Sequence, residues 1–288
     1  MSTPVRVAAF VTAIAAVFGL AFAAGHVVGP TEKPKKHEMQ ADEGHGDAHG
    51  GHAAAVPAGL TATQGGYTLR LAAERAPAAG RTPLDFTITG PDGHAVTTYD
   101  VQHEKRLHLI VVRRDATGFQ HVHPELAADG TWSTDVDLSP GPWRVYADFK
   151  PASDEAMTLA AELLVAGDFE PAPPRPDVRS TTVDGYTVTL DGDLAAGRDT
   201  VLRPRVSLDG RDVTGELEPY LGALGHLVAL RRGDLAYLHV HPEGLDFHTS
   251  VPTGGAYELF LDFKHAGVVR TAAFTLTASP TAETGHGH

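Results

Sequence analysis

Histidine is the residue type in this chain with the greatest capacity for chemistry, and two copies of one short motif carry it. His121-Val122-His123-Pro124-Glu125 recurs unchanged as His239-Val240-His241-Pro242-Glu243, and a further histidine, His108 or His226, stands thirteen residues before the first of each pair. Residues two apart in a strand project from one face, roughly 6.5 Å apart along the chain. Each His-x-His therefore presents two imidazoles side by side. Three convergent imidazoles with an open position suit Zn(II), Cu(II) or Ni(II). The candidate ligands are His108, His121 and His123 in the first copy and His226, His239 and His241 in the second, with Cu(II) or Zn(II) as the expected ion. Carboxylates retained by both copies are candidates for a further ligand or for a group that orients an imidazole. They are Glu125 and Glu243, just past the histidine pair, and Asp148 and Asp262, each before Phe-Lys. Asp100 and Glu218 lie eight residues before the first histidine of each copy; His103, His248 and His265 occur in one copy only and rank lower. The competing reading is that the histidines pack in strands and donate to backbone carbonyls.

The elements that must position these residues form an internal duplication. Gly66-Tyr67-Thr68-Leu69-Arg70-Leu71 reappears as Gly185-Tyr186-Thr187-Val188-Thr189-Leu190, His108-Leu109-Ile110-Val111-Val112-Arg113-Arg114 as His226-Leu227-Val228-Ala229-Leu230-Arg231-Arg232, and Asp148-Phe149-Lys150 as Asp262-Phe263-Lys264. Two domains follow, 64–167 and 182–279, joined by a Pro-rich, semi-rigid spacer at 168–181. Short runs such as Tyr186 to Leu190, Val201 to Leu208 and Tyr257 to Phe263 alternate in polarity and are broken by turn residues, which predicts strands. The expected fold is all-β, two tandem antiparallel β-sandwiches of immunoglobulin-like or cupredoxin-like type. Trp143 and its counterpart Tyr257 read as core positions. Arg113 to Ala116 and Arg231 to Asp234 read as four-residue hairpin loops with solvated arginines at their tips. That register sets His108 opposite His121 and His226 opposite His239, with Cβ atoms about 4.5 to 5.5 Å apart. A two-residue loop centred one position later sets His226 opposite His241 and keeps the three on one face. Pro124 and Pro242 end the strand after each histidine pair.

Composition narrows the chemistry further. The 288 residues include 17 histidines, no cysteine and three methionines, with a formal charge of −13. Without cysteine there are no disulfides, thiolate zinc sites, iron–sulfur clusters, cysteine nucleophile or blue-copper centre. Few methionines disfavour a Cu(I) thioether carrier, and the acidic balance argues against a nucleic-acid partner. There is no serine nucleophile elbow, His-Glu-x-x-His or glycine-rich phosphate loop, so no catalytic residue is assigned and the chain reads as a non-enzyme. His-x-His also begins the cupin metal motif, but the glutamate expected a few residues later is displaced.

The chain ends read differently from the repeats. Val7 to Val28 is apolar and free of acidic residues, Lys and Arg, and its 22 residues reach the ~20 that span a bilayer. Residues 1–30 are read as an uncleaved membrane anchor that leaves the bulk of the chain outside the cytoplasm. Cleavage after Ala21-Phe22-Ala23, giving a secreted form, is the alternative; it exposes Ala24-Gly25-His26, whose amine, amide nitrogens and imidazole could wrap Cu(II) or Ni(II). Residues 31–63, with His37, His45, His49 and His52 among Gly, Ala and carboxylates, are too poor in large apolar side chains to fold and read as a disordered, loosely chelating stalk. Residues 280–288 form a flexible tail containing His286 and His288.

The run Tyr220-Leu221-Gly222-Ala223-Leu224-Gly225-His226-Leu227-Val228-Ala229-Leu230-Arg231, with Leu238-His239-Val240-His241-Pro242 and Asp262-Phe263-Lys264-His265-Ala266-Gly267-Val268-Val269-Arg270-Thr271, resembles a family of largely uncharacterised actinobacterial envelope proteins. That resemblance implies a connection with heavy-metal or copper handling and supplies no mechanism. The expectation is an anchored extracytoplasmic metal-binding protein for copper or zinc sequestration or delivery, its partners the metal ion and the membrane. The alternatives are a surface adhesion or partner-binding module with structural histidines, and a metalloenzyme.

Overall fold

Strand Gly80–Thr89 shows how the chain builds its layers: Leu84, Phe86 and Ile88 are buried while Asp85 is exposed between them. A computed structural model of the chain describes residues 57–280 except 153 and 239, and not the side chain of His241. The anchor, the stalk up to residue 56 and tail residues 281–288 lie outside the described residues, as do His239 and the His241 side chain.

Each copy is a β-sandwich. In copy 1, one sheet runs in the order Thr63–Gln64, Tyr67–Leu71, Gly80–Thr89, Thr131–Leu138, Glu125–Leu126; the other runs Arg75–Ala76, Met157–Val165, Gly141–Phe149, Leu107–Arg113, Gln120–Val122. In copy 2, one sheet runs Ser180–Val183, Tyr186–Asp191, Asp199–Leu208, Asp246–Ser250, His241–Glu243, and the other Tyr237–Leu238, Gly225–Arg231, Gly255–His265, Val268–Ala278. Pairing is antiparallel apart from the short Arg75–Ala76 strand, which runs parallel to Met157–Val165. Trp143, buried among Phe86, Leu109 and Leu159, fills one core; Tyr257 takes the equivalent place in the other, with Phe247, Phe263 and Phe274. A single turn of 3-10 helix, Thr214–Glu216, is the only helix among the described residues, and none there is long and apolar enough to cross a membrane.

The two sandwiches belong to one compact unit and pack face to face through equivalent strands. Leu109 and Val111 point into the core of copy 1, while Ile110 and Val112 enter a separate apolar cluster with Tyr146 and Ala160 and, from copy 2, Val228, Leu230 and Phe260. A strand covered on both faces needs a nearly continuous apolar run, and Leu-His-Leu-Ile-Val-Val supplies it. The Phe119 and Phe260 rings stack with centroids 4.0 Å apart; their counterparts Tyr237 and Tyr146 lie at 5.7 Å. The Tyr146 hydroxyl also donates to the Leu235 carbonyl, 2.6 Å away.

Two expectations are corrected at this interface and one is sharpened. Residues 57–63, read as the end of the disordered stalk, belong to the fold, because Arg144 holds the Gly59 carbonyl at 2.7 Å, the Ala58 carbonyl accepts from the Tyr237 amide and Thr63 pairs with Thr68. The spacer is pinned to both copies: the Ala172 amide donates to Asp115, and Arg175 pairs with the buried Glu258 at 2.9 Å. The hairpin arginines do structural work too. Arg113 grips Asp115 at 2.7 and 2.9 Å, Arg231 grips Asp234, and Arg232 reaches Glu258.

Candidate metal centre

Histidines 108, 226 and their alternates along each strand point towards the neighbouring copy, so the site forms where the two sandwiches meet. His108 lies on the same face of strand Leu107–Arg113 as Ile110 and Val112. Its Nδ1 is 3.0 Å from His121 Nε2 and 3.2 Å from His123 Nε2, and one nitrogen from each of the three rings lies within 4.8 Å of the others. Tetrahedral zinc with bonds of about 2.0–2.1 Å implies ligand nitrogens roughly 3.3 Å apart, which is the spacing these rings approach.

The strand register differs from the four-residue-loop expectation. Leu109 pairs with Val122 and Ile110 with His121, so His108 stands level with position 123; in copy 2, Ala229 pairs with Leu238, which sets His226 level with position 241. This is the register of the later-centred alternative, reached through a longer connection. The Arg113 amide bonds to the Thr117 carbonyl, and left-handed Ala116 (φ 61°) and Gly118 (φ 65°) add a bend before pairing begins. After Val122 the chain leaves this sheet, and it joins the opposite one at Glu125–Leu126. His123 occupies the crossing, followed by buried Pro124.

The outer nitrogens decide what the inner ones can do. His108 Nε2–H donates to the Gln102 carbonyl at 3.0 Å, and its counterpart His226 Nε2–H donates to the Tyr220 carbonyl at 2.8 Å, in each case six residues earlier. His121 Nδ1–H donates to Asp262 Oδ2 at 2.7 Å, with both side chains only 5% exposed, and Thr271 holds the other carboxylate oxygen at 2.5 Å. A neutral imidazole has one N–H. When both rings are neutral those protons are committed outward, and His108 Nδ1 and His121 Nε2 face each other at 3.0 Å as two lone pairs. Two acceptors at that distance repel unless a cation lies between them. Burial keeps His108 and His123 from supplying a proton at neutral pH. It pushes His108 down to about 4, helped by neighbouring His121, His226 and His103 and opposed by the Gln102 carbonyl. Burial, then His121 and His108, push His123 down to about 3. Neutral imidazole is also the form that ligates metal.

The remaining candidates divide between this site and the surface. One row crosses three strands in each copy: His108 pairs with Asp148 and Asp148 with Thr158, as His226 pairs with Asp262 and Asp262 with Thr271. Asp262 thus reaches from copy 2 to orient a histidine of copy 1. His226 also approaches, its ring centroid 6.4 Å from His121 and 6.5 Å from His108. Asp148 accepts from Thr158 at 3.1 Å and from Tyr237 at 3.5 Å, and it lines a cavity of about 70 Å³ together with His103, His108, His121 and His226. Glu125 is exposed on the opposite sheet, and Glu243 contacts His248 on the surface, 3.1 Å away; neither joins the cluster. Asp100 and Glu218 pair with Lys150 and Lys264, and His265 bonds to Tyr186 at 2.8 Å.

His103, ranked low because copy 2 lacks it, is brought to the site by a tight turn. Gln102 and Lys105 exchange backbone hydrogen bonds of 2.8 and 3.0 Å around His103 (φ 46°) and Glu104 (φ 63°). In copy 2 the same turn joins Tyr220 and Ala223 around Leu221 (φ 53°) and Gly222 (φ 77°). Left-handed backbone at a non-glycine residue costs about 1–3 kcal/mol. Copy 1 carries that strain at both central residues and copy 2 at one.

No curated protein matches the chain in sequence. Among solved structures, the chain is similar to the Escherichia coli adhesin FdeC (15% identity, TM-score 0.24, covering 74% of this chain and 64% of that one). It is also similar to the fibronectin(III)-like modules of Clostridium thermocellum CbhA (10%, 0.24, 77% and 99%) and to Yersinia pseudotuberculosis InvE, an adhesin (11%, 0.23, 73% and 58%). The chain spans less than two thirds of FdeC, and likeness at these scores bears on neither activity nor partner. A family profile matches twice, over residues 61–167 and 181–280, the two sandwiches just described. The chain belongs to the family defined by a domain of unknown function, DUF8832, and carries two copies of that domain.

Proposed function

We propose that this protein binds a transition-metal ion, Cu(II) or Zn(II), through His108, His121 and His123, for sequestration or delivery outside the cytoplasm. The observation that supports the reading is the pair of inward nitrogens 3.0 Å apart whose rings already donate outward, to Gln102 and Asp262. Carboxylate–imidazole pairing of this kind fixes the ring and raises its basicity towards a metal. The copper connection of the resembled envelope family agrees with it, and the placement outside the cytoplasm rests on the apolar segment Val7 to Val28.

The test uses the full-length chain with His37, His45, His49, His52, His286 and His288 replaced by Ala, which removes the loose chelators. Cu(II) or Zn(II) is titrated against a competing chelator, beside the same chain also carrying H108A, H121A and H123A. Loss of one tightly held ion in the triad variant is the expected result. Equal binding by both chains overturns the reading and leaves the adhesion or partner-binding alternative, in which the histidines are structural.

A further inference from the structure

We propose that His103 is the exchange ligand of this site, the imidazole that takes a metal ion from solvent and passes it to the buried triad; this rests on the metal-binding reading above. His103 is exposed, whereas His108 is buried and the His121 side chain is 5% exposed. Its ring centroid lies 6.0 Å from His108 and 5.4 Å from His226. It also lines the cavity of about 70 Å³ that reaches His108, His121 and Asp148, so an ion entering there meets His103 first. The other approach, past His123, is lined by Lys105 and Arg106 as well as Glu104 and Glu125, whose charges cancel and offer a cation no net attraction.

The turn holds the side chain in place. Its first central position is left-handed in both copies, at His103 and at Leu221, so the geometry that displays the side chain is shared and the imidazole is what copy 1 alone has there. An imidazole held within one ring's reach of the buried cluster, yet outside the group of three, can bind an ion transiently without forming part of the final ligand set.

The experiment mixes Cu(II) ions with the metal-free full-length chain, its stalk and tail histidines replaced as above, and follows loading by stopped-flow absorbance. His103→Gly removes the imidazole and relieves the left-handed backbone together, so slower loading in a chain of equal or higher Tm cannot come from misfolding. Loading is expected to slow about tenfold, the scale of losing a supporting group at a metal site, while equilibrium affinity stays within about threefold. Glu104→Gly keeps the imidazole and should load at the parent rate. Loading by the His103→Gly chain at the parent rate overturns the proposal, and so does a fall in affinity as large as the fall in rate, which would make His103 a permanent ligand. Failure of the metal reading itself shows separately, as equal binding by the parent and the triad variant.

Discussion

Position 144 of copy 1 and position 258 of copy 2 occupy the same place in the sheet, opposite Val112 and Leu230, yet one is arginine and the other glutamate. Both are buried. Arg144 donates to the Gly59 carbonyl and to Glu162, tying down the segment that leads into copy 1. Glu258 accepts from Arg175, Arg232 and Thr275, tying down the spacer. The duplicated framework decides where a buried charge can stand, and the segment running past decides its sign. The functional row obeys the same logic. His108 and His226, Asp148 and Asp262 hold equivalent positions, but the described three-imidazole cluster belongs to copy 1, and the carboxylate that orients His121 comes from copy 2.

The largest effect should come from these opposite charges. Glu258→Ala leaves two guanidinium groups without their carboxylate and should cost about 3 kcal/mol, the lower end for breaking a buried pair. Arg144→Ala should cost about 2 kcal/mol, mainly for the unsatisfied Gly59 carbonyl. Urea unfolding with unchanged m-value measures both, and a cost below about 1 kcal/mol for Glu258→Ala would show that the spacer is not held there.

Acid sensitivity should be nearly as large in the metal-free chain. His108 titrates near 4 when folded against 6.5 unfolded, so the unfolded chain binds a proton first. Stability is therefore complete above about 6.5 and falls as pH drops towards 4, by about 3 kcal/mol for this group. His226 is shifted downward as well, by burial first, so His226→Gln should remove some acid sensitivity and His108→Gln more. The reverse order, read from urea midpoints between pH 7 and 4, would contradict the deeper role of the copy 1 histidine.

The aspartates sharpen the contrast at the site itself. Asp262→Asn should lower Cu(II) affinity about 10- to 100-fold by weakening the hold on His121, whereas Asp148→Asn should change it by less than about threefold; chelator competition on both variants decides. Similar losses would mean that the two copies serve the ion equally. Smallest of all is the turn. Glu104→Gly should raise stability by up to about 1 kcal/mol and Gly222→Ala should lower it by a similar amount, since each changes a residue with positive φ. Thermal unfolding that moves in the same direction for both would show that the turns are not equivalent.

Features that depend on one strand at a time were legible in the sequence. The strands at Tyr186–Asp191, Asp199–Leu208 and Gly255–His265 and the core roles of Trp143 and Tyr257 follow from period-two alternation; His108, His121 and His123 do converge, but with His123 at the crossing between sheets rather than on the strand of His121. Features that depend on what covers a strand were harder to read. The unbroken apolar run from Leu109 to Val112 signalled burial on both faces, but it could not say that the second cover is the other copy. The register slipped because Ala116, a residue that rarely takes positive φ, bends left-handed beside Gly118. Arg113, Arg231 and Arg232 passed for solvated because their partners, Asp115, Asp234 and Glu258, are recognisable only once the hairpins and spacer have folded together.

The paired rings at the interface have a consequence for the history of the chain. Phe119 against Phe260 and Tyr237 against Tyr146 are one contact made twice, with the roles of the copies exchanged. A surface that meets its own equivalent in this way is isologous, the kind that closes a two-fold dimer. A relative with a single copy of this domain would have to pair with itself to bring an aspartate to its neighbour's histidine. Joining the copies in one polypeptide makes that encounter intramolecular, at an effective concentration that short tethers raise to about millimolar. It also releases the halves from identity: one turn carries Leu221 and Gly222 where the other carries His103 and Glu104, a difference that a symmetric dimer of one gene product cannot have.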